Sequence, residues 1–310
     1  MLKPKMNSTK QASKPLQIEL LDRHITCNRH LLTDRIYAVT ELVRVKKNVT
    51  ITADDGVTIL IQNGIKKKSR LRRAALIFNK GSQLKAKRIY FKACDSHFRQ
   101  TKIADNGGLW FIGNSENAEK DTILTTVKRQ TTRSSFSAEM IATYYLGCSD
   151  PDKKTLQARD TKDDIDALSI LGLCPVEWSV IQVRSFYSGD DGIDLTNSHV
   201  RLDRLWINAP VEDGINLSSS HLEIRHSLKL NVSKSKNKDR DLVDFETDDG
   251  ASFIQLHANC YLELNGVFGD EVTLASKEMP KPDTNQNNES SYKFKGRLRR
   301  SALIYSLDED

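Results

Sequence analysis

No two cysteines in this chain lie close enough to make a Cys-x-x-Cys pair. The five that occur, Cys27, Cys94, Cys148, Cys174 and Cys260, are scattered and odd in number. That excludes a disulfide framework and fits a reducing compartment. Each reads as an ordinary buried thiol without a metal or nucleophilic role. No apolar run approaches the roughly 18 residues of a membrane span, so no transmembrane segment is expected. The first 15 residues are polar and lack the apolar stretch of a secretory signal, which gives the expectation of a cytoplasmic protein. A phosphate-binding P-loop, a dinucleotide fingerprint, a metalloprotease helix and a nucleophile elbow are all missing, so neither a cofactor nor a metal is expected.

What is present begins with an uneven charge. Across 310 residues the net charge is +6. Residues 1–15 carry +4, residues 66–73 (KKKSRLRR) +6 and residues 295–300 (KGRLRR) +4, which leaves −8 on the remainder. An acidic body with basic patches attracts phosphates or acidic sugars, although basic runs also serve as solvated faces and strand-edge protection. The basic runs have no interleaved aromatic residues of the kind that single-strand binders use.

The chain also repeats itself. Asp191-Gly-Ile-Asp-Leu-Thr-Asn-Ser-His-Val-Arg-Leu202 aligns without gaps on Asp213-Gly-Ile-Asn-Leu-Ser-Ser-Ser-His-Leu-Glu-Ile224, 22 residues on. Ile193 and Leu195 point to one face of a short strand and Asp194 to the other, and the polar residues between strands make corners. A looser copy begins at Asp249-Gly250, after a polar insertion at residues 234–241. Upstream, residues 81–91 match residues 197–207, with inward sets Leu84, Ala86, Ile89, Phe91 and Val200, Leu202, Leu205, Ile207. Short strands bent at polar corners make coils of a β-solenoid. A leucine-rich repeat shares the period, but its required asparagine does not recur.

The resulting expectation is an all-β, right-handed parallel β-helix with a helical insertion and terminal caps. Residues 1–15 read as a disordered basic tail, 16–44 as a partly helical N-terminal cap, and 45–133 as the first coils. Residues 134–175 form an insertion with short helices at 137–146 and 163–171, followed by central coils at 176–276. Residues 277–291 are a linker, and 292–310 a C-terminal Arg-rich strand with an acidic tail. That last strand echoes an earlier one: Arg297-Leu-Arg-Arg-Ser-Ala-Leu-Ile-Tyr305 matches Arg70-Leu-Arg-Arg-Ala-Ala-Leu-Ile-Phe78 at seven of nine positions.

Ser188-Gly-Asp-Asp-Gly-Ile-Asp194 resembles the aspartate-pair motif of polygalacturonases, which belong to the pectate-lyase-like superfamily of right-handed parallel β-helices. The resemblance to the superfamily covers residues 176–276, and that to the hydrolase motif only seven residues. It implies a glycoside hydrolase or lyase in which Asp190 and Asp191 form the pair and Asp213 supplies a third acid one coil on. The family's Asn-Thr-Asp, Gly-His-Gly and Arg-Ile-Lys elements are absent. Because Asp-Gly recurs at Asp213 and Asp249, the competing reading makes these aspartates turn formers, with glycine at positive φ.

Two further groups stand out. Asp194 and Asn216 stack on an outward face where the superfamily commonly binds extended sugars, with Tyr187 and Trp206 expected nearby. Arg72, Arg73, Arg299 and Arg300 are the candidates for gripping carboxylate or phosphate. His199 and His221 share one slot on adjacent coils, which Gln83 holds in the looser coil. Two imidazoles fall short of the three or four ligands that zinc needs, so they read as a corner ladder.

The leading functional expectation is a binding or assembly surface for an extended partner, without a complete catalytic set. The possible partners are an acidic glycan, another protein or a second copy of the chain. The alternatives are a polysaccharide-active enzyme and, third, nucleic-acid binding through the Arg-rich strands, which requires both Arg sets to share one face.

Overall fold

The computed structural model describes residues 17–67, 70–113, 133–148, 165–232, 240–246, 250–269, 271–282 and 291–306. Among them there is no helix, and none long and apolar enough to cross a membrane. The polypeptide runs through β1 (Gln17–Leu20), β2 (His24–Ile25), β3 (Arg29–Leu31), β4 (Arg35–Val39), β5 (Leu42–Val45), β6 (Thr50–Ala53) and β7 (Val57–Gln62). A small antiparallel pair, β8 (Ile65–Lys67) and β9 (Arg70–Arg72), leads into β10 (Ala75–Phe78), β11 (Gln83–Cys94) and β12 (Leu109–Ile112). Then come β13 (Ser135–Tyr144), β14 (Leu168–Leu171), β15 (Trp178–Phe186), β16 (Ile193–Thr196), β17 (His199–Asn208), β18 (Ile215–Ser218) and β19 (His221–Asn231). The final strands are β20 (Val243–Glu246), β21 (Phe253–Leu256), β22 (Tyr261–Gly266), β23 (Val272–Ala275), β24 (Tyr292–Arg297) and β25 (Ala302–Ser306).

These strands alternate between two stacks. A long sheet of 15 strands has the spine β1-β4-β7-β11-β13-β15-β17-β19-β21, and a short sheet of 8 runs β2-β5-β10-β12-β14-β16-β18-β20. Pairing along both is parallel, and the chain visits the two sheets in turn, an arrangement consistent with a solenoid of stacked coils. Ile193, Leu195, Ile215 and Leu217 point inward and are fully buried, while Asp194, Thr196, Asn216 and Ser218 between them stay partly exposed. Inward residues of both sheets make one continuous core.

The strand register follows the sequence repeat. Ile193 pairs with Ile215, Leu195 with Leu217 and His199 with His221. The upstream match also lies on one ladder: Ile89 pairs with Ile141, that with Val183, and that with Leu205. The third copy is shifted. Ile215 pairs with Val243, so Asp241 occupies the corner of Asp213, in place of the Asp249 expected from the Asp-Gly pattern. Asp249 itself lies outside the described residues.

Residues 137–146 are not helical. Ser135–Tyr144 is a strand paired on both sides, because ladder positions between β11 and β15 outweigh the helix propensity of Ala138, Glu139, Met140 and Ala142. Leu168–Leu171 is likewise a strand, not a helix. The excursion does leave and rejoin at one place, since Cys148 and Ile165 exchange backbone hydrogen bonds at 2.7 and 3.0 Å; its interior, residues 149–164, lies outside the described residues. Residues 17–44 form β1 to β4 and most of β5, with no helix. The expected tail at 1–15 and most of the expected linker fall outside the described residues, but Met279 is buried and Glu278 accepts the backbone N–H groups of Arg299 and Arg300.

Candidate functional site

Each of the central coils enters the short sheet through an aspartate. Asp191 Oδ1 accepts the Asp213 N–H at 2.8 Å, and Asp213 Oδ1 in turn accepts the Asp241 N–H. The carboxylates therefore link one coil to the next. The glycines beside them are needed for close approach and not for their φ: neither Gly192 nor Gly214 has positive φ. A Cβ on Gly192 would collide with the Ile207 side chain and lie 2.6 Å from the Gly214 carbonyl oxygen.

Asp190 and Asp191 are only 4% and 7% exposed, and carboxylate oxygens of Asp166, Asp190 and Asp191 lie within 4.8 Å of one another. Burial, reinforced by neighbouring negative charge, raises every acid of this corner that shows a shift. Asp191 is pushed up to about 7 and Asp213 to about 9, with Asp166 well above the ordinary carboxylate range. Asp194, on the outward side of the short sheet, is also raised by burial to about 7, and it accepts the Thr196 hydroxyl at 3.3 Å. Chemically the corner is a store of protons near neutral pH, with one oxygen each of Asp191 and Asp213 already engaged by backbone.

Asp194 pairs in register with Asn216, and Asn216 with Asp244, in the short sheet. Trp206 belongs to the long sheet and Tyr187 directly follows a long-sheet strand, so the expected sugar-binding face with all four residues together does not exist. The Arg sets are separated as well. Arg72 ends β9 of the small hairpin, and Arg73 pairs with Asp105 at 2.7 Å. Arg299 and Arg300 sit between β24 and β25, strands that pair antiparallel at the far end of the long sheet.

The long sheet carries a different grouping on its outer face. Its outward columns bring together Tyr90, Lys92, Tyr144, Arg184, Phe186, Trp206, Lys229 and Tyr261 from β11, β13, β15, β17, β19 and β22. Tyr144 stacks on Phe186 at 5.1 Å, and Phe186 meets Trp206 edge-on, also at 5.1 Å. Trp206 lies between two cations in register, with Arg184 5.4 Å and Lys229 5.3 Å from its ring centroid. Lys92 lies between Tyr90 and Tyr144, 5.7 and 5.6 Å from their centroids, and its pKa is lowered by burial. Lys229 is paired with Glu263 at 3.2 Å. Lys92 and Arg184 have no carboxylate partner among the described residues. At the corner beyond, Tyr145 and Tyr187 stack at 4.8 Å, both at positive φ, and Tyr187 is 43% exposed.

Of this row only Trp206 and the flanking Tyr187 were singled out in the sequence. The signal for more was there: the match of residues 81–91 to 197–207 already sets Tyr90 in the column of Trp206.

A second cluster lies on the same long strands, nearer their starts. His199 stacks on His221 at 4.1 Å, and Glu223, 6% exposed, accepts two hydrogen bonds from Arg201 at 2.6 and 3.0 Å. His199 Nε2 is 3.0 Å from Glu223 Oε1, and His257 Nε2 is 3.4 Å from Oε2. The Arg201 guanidinium, with His199, holds the Glu223 carboxyl down at about 2, whereas burial and the neighbouring His199 bring His221 down to about 4. Comparison of the chain with family models, with curated proteins and with solved structures finds no match.

Proposed function

We propose that the protein is a right-handed parallel β-helix of the cytoplasm that acts as a non-catalytic binding surface for an extended acidic glycan, held on the outer face of the long sheet. One observation carries this reading: the row of Lys92, Arg184 and Lys229 set among aromatic rings from Tyr90 to Tyr261. Its six strands, spaced about 4.8 Å apart, give a track of about 24 Å, a length suited to a polymer. Cations fixed against aromatic rings are preorganised for carboxylate or sulfate groups.

The ring faces in this row are largely occupied by one another and by the cations. That speaks against single-stranded nucleic acid, which needs open faces on which bases stack. The separation of the two Arg sets speaks against it too. A hydrolase built on Asp190, Asp191 and Asp213 is disfavoured because the last two carboxylates cap backbone groups and all three are largely withdrawn from solvent.

The test is a glycan array followed by titration with the best acidic glycan, comparing the native chain with a Lys92→Ala/Arg184→Ala variant and an Asp190→Asn/Asp191→Asn variant. Affinity is expected to fall at least tenfold in the first, to stay unchanged in the second, and to weaken with salt. Equal binding without Lys92 and Arg184 would remove the proposal. So would depolymerisation that disappears with the two aspartates, which would establish the enzyme instead.

A further inference from the structure

The histidine pair at the head of β17 and β19 supplied only two ligands when read from the sequence. Folding adds a third. Glu223 follows His221 by two residues on the same strand, so both stand on the outer face, and the 22-residue register brings His199 beside them. A ligand atom from each of His199, His221 and Glu223 lies within 4.8 Å of the other two. We propose that these three side chains form a binding site for a divalent transition-metal ion of the zinc class, with a fourth position open to water.

Two further features support the assignment. First, His221 Nε2 is buried and has no hydrogen-bond partner. A buried ring nitrogen without a partner is a group that a bound ion would satisfy. Second, both oxygens of Glu223 are engaged. His199 Nε2 and Arg201 Nη2 meet Oε1, while Arg201 Nε and His257 Nε2 gather at Oε2. The carboxylate is thereby fixed in place, with Oε1 beside the His199 ring. Two histidines, one carboxylate and a water make a recurring zinc ligand set.

Binding asks for a local rearrangement. Tetrahedral bonds of about 2.0–2.1 Å place ligand nitrogens about 3.3 Å apart, so the stacked rings must tilt toward each other. The Arg201 contact to Oε1 must also give way. Arg201 is 40% exposed at its side chain, and it retains Oε2 when it moves.

The experiment is titration of the full-length chain with Zn²⁺ against a chromophoric chelator, and with Co²⁺ followed by visible absorption. The native chain is expected to take up one equivalent, with Co²⁺ bands of a four- or five-coordinate nitrogen and oxygen site and no near-ultraviolet thiolate band. His199→Gln and His221→Gln should each weaken Zn²⁺ binding at least tenfold, while His226→Gln, on a neighbouring outward position, should leave it unchanged. Absence of a stoichiometric site in the native chain overturns the proposal, as do a thiolate band that traces the metal to cysteine and undiminished binding by the two histidine variants. The Co²⁺ spectrum of the native chain keeps the test decisive even if a variant does not fold.

Discussion

A buried carboxylate that caps the next coil is useful to the fold only while its charge can be tolerated. Asp213 is the sharpest case: its carboxyl is withdrawn from water and faces the charge of Asp191, which puts it at about 9. Asp191 and Asp194 stand at about 7. The folded protein thus holds these protons more tightly than the unfolded chain does, whose aspartates titrate near pH 4. The associated stability is complete below about pH 4 and is lost as pH rises through 7 to 9. Asp213→Asn keeps an oxygen to accept the Asp241 N–H and removes the charge. It should leave thermal stability nearly unchanged at pH 5 and raise it at pH 9, on the order of 1 kcal/mol or more. Melting curves across that range test this, and a variant less stable than the native chain at pH 9 would refute it. Glu223 works in the opposite sense. Its carboxyl is depressed to about 2, so its contribution is present above the ordinary carboxylate range and is lost on acidification toward pH 2.

Among the elements, the corner between the two sheets depends on serine. Ser198, Ser220 and Ser252 are almost fully buried at successive coils. The Ser220 hydroxyl accepts the Ser198 N–H at 2.9 Å and donates to backbone carbonyls, and the Ser252 hydroxyl accepts the Ser220 N–H at 3.1 Å. Ser220→Ala leaves a buried N–H without its acceptor, which costs about 1–3 kcal/mol. A drop of several degrees in melting temperature is expected, against no change for Ser218→Ala on the outward face. Equal effects of the two substitutions would show that the ladder contributes nothing. The repeated Ser-His made this corner legible in the sequence, as it did the strand register and the inward residues, because one coil predicts its neighbour. Where a coil departs from the repeat, that legibility ended. Asp241-Leu-Val-Asp-Phe245 takes the place of Asp213-Gly-Ile-Asn-Leu217 without its glycine, so the register was assigned to Asp249. In β13, a run of helix formers masked a strand fixed by pairing on both sides. The site suffered for a related reason. Arg201 and Glu223 hold one slot of the repeat with opposite charges, which foretells their pairing, but His257 joins them from a coil whose spacing has changed.

At the scale of the whole molecule, stacked parallel strands leave a difficulty at the last coil, where backbone groups of β21 and β22 would face outward unpaired. The chain resolves it by reversing direction. β24 pairs antiparallel with β22, and β25 lies antiparallel between β21 and β23. Tyr292, Leu298, Ala302 and Ile304 from this closing segment are buried in the common core. Its basic residues serve the same closure: Lys295 pairs with Glu263 at 2.9 Å, and the turn at Arg299 and Arg300 is held by Glu278. The Arg-rich echo of residues 70–78 thus has a local structural use at this end, although in the matching segment Arg70–Arg72 pairs in the small hairpin and Ala75–Phe78 lies parallel in the short sheet. Removing residues 291–310 should therefore do more than shorten the protein. It uncovers both edge strands together with apolar core, and association beyond that of the native chain is expected, seen by size-exclusion chromatography with light scattering, with a lowered melting temperature. A truncated chain with the native oligomeric state and melting temperature would mean that the closing strands are an appendage. In that case the coils would have to end their own sheet without them, and β21 and β22 would need some other protection from edge-to-edge pairing.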